Sequence, residues 1–304
     1  GLTTYTIIQG SGVSGTFANV TSNLAFLDPS LSYDPTHVYL TMTRNDVLFT
    51  DVAETPNQVN TAEAVDALGA GDPVWDAMIG LSAENSRDAF DQLSGELHAG
   101  LNGGGYYDPL HVLSMVQDHL NGWAQMGGRV MLASNGDTVG LGTSARTSTL
   151  WGEAFGGWGE VKEDGNAAAL DYNRTGVIMG ADFGVSDDGV LGFALGYRES
   201  DADQDGRNAT ADTRSIDAGV YAGVRAGAVA LSAQVGGSWR SIETERYVPL
   251  VDETLTGEYD AQSLQVQVRA GLPMGNAQAN VEPFVALSYI SVDTDGFTET
   301  GGAS

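Results

Sequence analysis

The chain has 304 residues, 40 acidic against 13 basic, a formal net charge of -27 and no cysteine. Arg44, Arg87, Arg129 and Arg146 are the four basic residues before Thr149, so no basic stripe exists to follow a phosphate backbone, and nucleic acid is excluded as a partner. The missing cysteines exclude disulfides and cysteine-held zinc, and no run of about 18 apolar residues offers a transmembrane helix. The slightly negative mean hydropathy fits a soluble acidic protein. It fits a membrane β-barrel equally well, because lumen residues alternate with lipid-facing ones and the average hides both. Gly1 opens in mid-strand with neither an initiator Met nor a signal segment, so the chain reads as a fragment of something longer.

Residues 5–50 read as β-rich through YTIIQ, GTFANV and HVYLTMTRN. After about residue 56 the pattern turns helical. NQVNTAEAVDALG ends on Gly69, a C-cap. NSRDAFDQLSGELHAGL puts Ala89, Phe90, Leu93 and Leu97 on one side of a second helix. DPLHVLSMVQDHLNG predicts a third over about 108–121, with Asp108 to cap it, Pro109 in its first turn and Gly122 to stop it. WAQMGGRVMLASNGDTVGLGTSARTS is Gly-rich and irregular.

From Thr149 onward strand patterns follow one another, at about 148–161, 171–186, 190–200, 212–225, 228–246, 258–272 and 277–293. In SIDAGVYAGVRAGAVALSAQVGGSW, Ile216, Ala218, Val220, Ala222 and Val224 share one parity, and Val229, Leu231, Ala233, Val235 and Trp239 share another. Val177, Met179, Ala181, Phe183 and Val185 line one face of the second strand; Leu264, Val266, Val268, Ala270 and Leu272 line one face of the sixth. The opposite face mixes glycine with Asp182, Arg198, Asp217, Arg225, Arg240, Arg269 and Glu282. These runs exceed the soluble mode of about 5–6 residues and reach the 9–11 that cross hydrocarbon.

The connections decide what the apolar face touches. They read VKEDGNAAALD, SDDG, DADQDGRNATAD, RAG, ETERYVPLVDETLTGEYDA and PMGN, alternating long and short. A membrane barrel sorts its loops in this way, long outside and tight in the periplasm, and a sandwich has no reason to. Trp151, Trp158, Tyr172, Tyr197, Trp239, Tyr247 and Tyr259 fall near strand ends, where interfacial girdles belong. The apolar face therefore meets lipid, and the first strand starts in the periplasm and climbs outward.

Four motifs invite a chemical reading and decline it. GSGVSG at Gly10–Gly15 matches a dinucleotide fingerprint but leads into β-like TFANVTSN instead of a helix. Asp91, Ser94 and His98 sit on one predicted helix, where a serine has no strained turn and no oxyanion hole. His37, His98, His111 and His119 form no metal-ligand pair. DADQDGRNATAD follows a calcium loop through Asp201, Asp203, Asp205 and Gly206, with Asp212 at the twelfth place, but strands flank it and Asn208 replaces an apolar residue. It reads as a solvated acidic outer loop. No catalytic, metal or cofactor residue is expected.

The joint order of GSGVSGTFANVTSNLAFLDPSLSYDPTHVYLTMTRN, AFDQLSGELHAG, LWGEAFGGWGE, GVIMGADFGV, LGFALGYRESDADQDGRNATADTRSIDAGVYAG, EPFVALSYI and DGFTETGGA resembles the C-terminal region of classical monomeric autotransporters, the type V secretion proteins of Gram-negative bacteria. The resemblance covers nearly the whole chain. It implies a passenger's β-helix end with an autochaperone-like segment over 1–50, a helical linker and pore plug over 51–147, and a truncated β-barrel over 148–304. The family barrel has twelve strands, so about seven are expected here, with a lumen helix at about 108–121. Implied partners are outer-membrane lipid, the protein's own passenger, barrel-assembly machinery and periplasmic chaperones, with the N-terminal segment at the cell surface. Some relatives release the passenger at an Asn-Asn pair; this sequence has Asn121-Gly122 instead, and no self-cleavage is expected. The rival readings are an adhesin and the tail of a protein whose upstream passenger is a hydrolase.

Overall fold

Three strands open the chain: β1 (Leu2–Gln9), β2 (Leu27–Tyr33) and β3 (His37–Arg44), antiparallel in the order β1-β3-β2. The computed structural model describes residues 2–125, 132–134, 137–139, 148–276 and 279–301. Asp34 builds the β2–β3 turn, accepting from the backbone N–H groups of Thr36 and His37, each at 2.7 Å, and from the Tyr39 hydroxyl at 2.7 Å. Those donors hold its carboxyl well below the usual range. Gly10–Gly15 leads into no helix, but TFANVTSN and GTFANV are irregular chain and not the strand expected.

α1 (Pro56–Leu68) starts on Thr55, whose hydroxyl accepts from Gln58 N–H, and ends at the predicted Gly69, with φ +79°. A short α2 (Pro73–Met78), which the periodicity did not reveal, is capped by Asp72 ahead of Pro73. α3 (Ala83–Leu93) is capped by Ser82. Phe26, Phe49, Ala62, Val65, Met78, Ala89 and Phe90 form one core under the sheet and these helices.

The predicted second helix does not run to Leu101. It breaks at Gly95 (φ +62°), and α4 (Glu96–Gln125) then runs 30 residues without interruption. Asp108, Pro109 and Gly122 therefore stand inside a helix and neither start nor stop one. Pro109 lacks the N–H for one ladder bond. Packing on both sides carries the helix past it: Leu97 and Leu101 precede it, Val112, Leu113 and Val116 follow, and all lie against one sheet. Beyond α4 the expected irregular segment lies largely outside the described residues. Within it, β4 (Leu132–Ser134) and β5 (Asp137–Val139) form a hairpin.

The sheet comprises β6 (Ser148–Val161), β7 (Leu170–Ser186), β8 (Gly189–Gln204), β9 (Ala209–Ala226), β10 (Val229–Val248), β11 (Glu253–Gly271) and β14 (Phe284–Thr294). It is antiparallel in sequence order and open between β6 and β14. Two predicted boundaries change. Most of the acidic stretch 201–212 and most of 243–259 are strand, so the connections there shrink to 205–208 and 249–252, with Asn208 and Asp252 at positive φ. And the last tight turn is not PMGN. β12 (Met274–Asn276) and β13 (Ala279–Val281) continue the β11–β14 register from Gly271↔Phe284 through Met274↔Val281 to Asn276↔Ala279. Pro273 and Pro283, which have no N–H to give, interrupt the ladder between them. α4 touches strands at both edges, Phe155 on β6 through His111 and the β14 strand, so the sheet curls around the helix.

Candidate functional site

Alternation along each strand makes two unlike faces. On β10, Leu231, Val235 and Trp239 are exposed while Gln234, Ser238 and Arg240 are buried. The same parity exposes Met179, Phe183, Leu195, Ile216, Val220, Leu264 and Val268, a continuous apolar outer surface. Inside lie Asp182, Arg198, Asp217, Arg240 and Arg269, all predicted for that face and all buried. Arg198 faces Asp217 at 3.6 Å, and Ser238 donates to the same carboxylate. Glu282 meets Arg269 at 2.6 Å. The wall is thus polar and ion-paired, and its outside would be unstable in water at this extent.

α4 lies on that inner wall. Val112, Leu113, Met115, Val116, Leu120 and Trp123 bury against Ile178, Val190 and Ala194, with small voids of about 20 and 10 Å³ along the helix. Each such side chain contributes about 1.5–3 kcal/mol, against about 0.5–1.5 kcal/mol for a neutral hydrogen bond. Apolar packing therefore holds the helix to the wall, while directional bonds fix where along the wall it sits. These are Ser232 Oγ to Gln117 at 2.9 Å, Gln234 to the Leu113 carbonyl at 3.0 Å, and Arg269 to Asn121 Oδ1 at 3.0 Å.

At the end with tight turns, His119 Nε2 donates to Asp182 Oδ2 at 2.6 Å and stacks on Trp151 at 4.4 Å. Tyr221 donates to Asp182 Oδ1 and accepts from Trp151 Nε1 at 2.6 Å. Two glycines make this possible. Gly180 pairs with Trp151 and Gly192 with Tyr221, and a Cβ at either would collide with the ring lying over it. The expectation that Trp151 and Tyr259 belong to an interfacial girdle is corrected: both point inward and are buried. Both parities of β6 carry apolar residues, so its pattern leaves Trp151 open, whereas Tyr259 shares the parity of the inward Gln265 and Arg269 on β11. Trp158, Tyr172, Tyr197, Trp239 and Tyr247 are exposed, as a girdle requires.

At the other mouth Glu96, in the first turn of α4, accepts from Ala168 N–H at 2.8 Å, Gln204 at 3.0 Å and Asn57 at 2.9 Å, and forms an ion pair with Arg207 at 2.8 Å. Nearby, Asp91 is pushed up by burial, partly offset by Gln58 and Arg207. His98 contacts Tyr259 and Glu299, each at 3.2 Å, and Arg246 grips Glu299 at 2.6 and 2.9 Å while donating to the Gln92 carbonyl at 2.6 Å. Burial raises Glu299, but the bonds from Arg246 and His98 outweigh it and set its pKa at about 2. Ser94 donates to Asp91 O instead of meeting His98, so no nucleophile–base pair forms there. Among the described residues no group of His, Asp or Glu is arranged to hold a metal. Asp201, Asp203 and Asp212 point outward from β8 and β9; Asp201 and Asp212 are cross-strand partners whose carboxyl groups meet, on paired strands and not in a loop between helices.

Residues 150–304, half of the chain, match the family described as the autotransporter beta-domain. The chain belongs to the autotransporter family. Its sheet is part of an outer-membrane β-barrel translocator, and the apolar outer face meets lipid. Two curated relatives, both named "Extracellular serine protease" from Serratia marcescens, are each 25% identical over 99% of the autotransporter chain. The chain spans 32% of each relative's length. Among solved structures, the translocator domain of the autotransporter NalP from Neisseria meningitidis aligns at 18% identity with a TM-score of 0.47, covering 54% of this chain and 55% of that one.

Proposed function

We propose that this chain is the export unit of a longer protein, carrying its own upstream passenger to the cell surface. Residues 1–50 are the passenger's C-terminal end, 51–147 the linker and plug, and 148–304 the N-terminal part of the barrel. The observation that carries this is α4: a helix of 30 residues, about 45 Å long at 1.5 Å per residue, seated in a polar lumen whose outside is apolar. It links a folded segment at the loop mouth to the start of β6 at the turn mouth. Lipid and passenger are the direct partners; barrel-assembly machinery and periplasmic chaperones deliver the barrel to the membrane. An epitope placed upstream of Leu2 in the full-length protein tests this. It is reached by antibody on intact cells when the barrel is present and stays in the periplasm when 148–304 is removed.

A second reading concerns the passenger. Relatives named as extracellular serine proteases align with nearly all of this chain, which favours a hydrolase over an adhesin upstream. The catalytic centre then lies in the passenger and not in the translocator. A fluorophosphonate probe labels the exported passenger on this reading, and leaves residues 148–304 unlabelled.

A further inference from the structure

We propose that Asp182 and Glu96 are positioning residues that lock the axial register of α4, one at each mouth of the barrel. The proposal rests on the reading that α4 occupies an export channel. A helix that has followed its cargo through a pore must stop somewhere, and its apolar contacts cannot choose the place. Val112, Met115, Val116, Leu120 and Trp123 recur at helical spacing, so a slip of one turn, about 5.4 Å, sets like against like.

The two carboxylates are less forgiving. Asp182 is 1% exposed, with one oxygen filled by Tyr221 of the wall and the other by His119 of the helix. A slip in either direction leaves a buried carboxylate oxygen unpartnered, far costlier than mismatched methyl groups. Glu96 is the counterpart on the helix itself. It is taken up by the loop after β6, the end of β8 and the turn that follows it, so inward travel would strip it of Ala168, Gln204 and Arg207 together. The two anchors are roughly 35 Å apart along an α-helix, close to the ~30 Å hydrocarbon thickness. Each thus falls at an end of the spanning stretch. Gln117 with Ser232 is a single neutral bond between them, weaker than either charged anchor, and so the place to read the register.

The test uses the full-length protein in planar bilayers and in cells, with cysteines at Gln117 and Ser232; the native sequence of this region contains none to interfere. In the parent the pair forms a disulfide on mild oxidation and the pore stays closed. His119→Ala, which leaves the wall intact, is expected to cut disulfide yield and raise open probability on the order of tenfold, the scale of one charge-assisted hydrogen bond. Combining it with Glu96→Gln raises it further. The reciprocal swap, His119→Asp with Asp182→His, restores closure and crosslinking, which a general loss of packing would not allow. Unchanged crosslinking and conductance in His119→Ala overturns the register lock. If removing residues 105–124 leaves conductance unchanged, the plug reading fails and the lock fails with it.

Discussion

At the scale of single residues, the lumen wall depends on where side chains are missing as much as where they are present. Gly192 faces Tyr221, and Gly192→Ala puts a methyl group where the ring lies. Overpacking of this kind costs about 1–3 kcal/mol, and the ring would swing off Asp182. The folded, heat-modifiable band of the barrel should then convert at a lower temperature than in the parent; an unchanged conversion would mean that Tyr221 has another place to go. Glu299 carries a second expectation. Its folded pKa of about 2 lies below the ordinary 4.5, so it stabilises the loop mouth above about 4.5 and that contribution is lost as pH falls toward 2. Hydrogen exchange of residues 295–300 should quicken across that window, and Glu299→Gln should abolish the dependence. None of this was legible in advance. Asp182 was recognised as an inward charge from strand parity, but its partner His119 lies 63 positions away in sequence, and no spacing rule connects a helix to a wall.

At the scale of elements, strands were more legible than the helix between them. Period-two alternation marks β7 to β11, because each has one face in an apolar surrounding and the other against polar groups; β6 and β14 carry apolar residues at both parities, and alternation leaves their faces open. The strand ends were not legible. β8 and β9 run on through 201–212 because Asp201, Asp203 and Asp212 point outward into water while Ala202, Ala209 and Ala211 pack inward on Leu97, so the alternation persists with charge in place of grease. β10, at 20 residues, is about twice what crossing requires and projects well beyond the hydrocarbon. The helix was misread at Pro109 and Gly122, residues that end helices in water but are overridden here by the wall on which α4 packs. Removing residues 105–124 from the full-length protein should convert a closed barrel into a conducting one in planar bilayers. Equal conductance with and without that stretch would place α4 outside the lumen.

At the scale of the whole molecule, composition misleads and patterning corrects it. A net charge of -27 suggests a soluble acidic protein, yet the outer face at the middle of the sheet is apolar while Asp201, Asp203 and Asp212 stand on strand extensions. The orientation follows from which ends are long. A protease site inserted after Glu163 should be cut on intact cells, and one after Asp187 only after permeabilisation; the reverse pattern would turn the barrel over. The central claim is that the sheet's apolar face meets lipid and its polar face the lumen helix. Single cysteines along β10, each carrying a spin label, test it most directly, since the native sequence of this region supplies no competing thiol. Labels at Leu231, Val235 and Trp239 should collide with oxygen dissolved in the bilayer, and those at Gln234 and Ser238 should not, giving a period of two along the strand. Equal access at all five positions to a water-soluble relaxant would contradict the account.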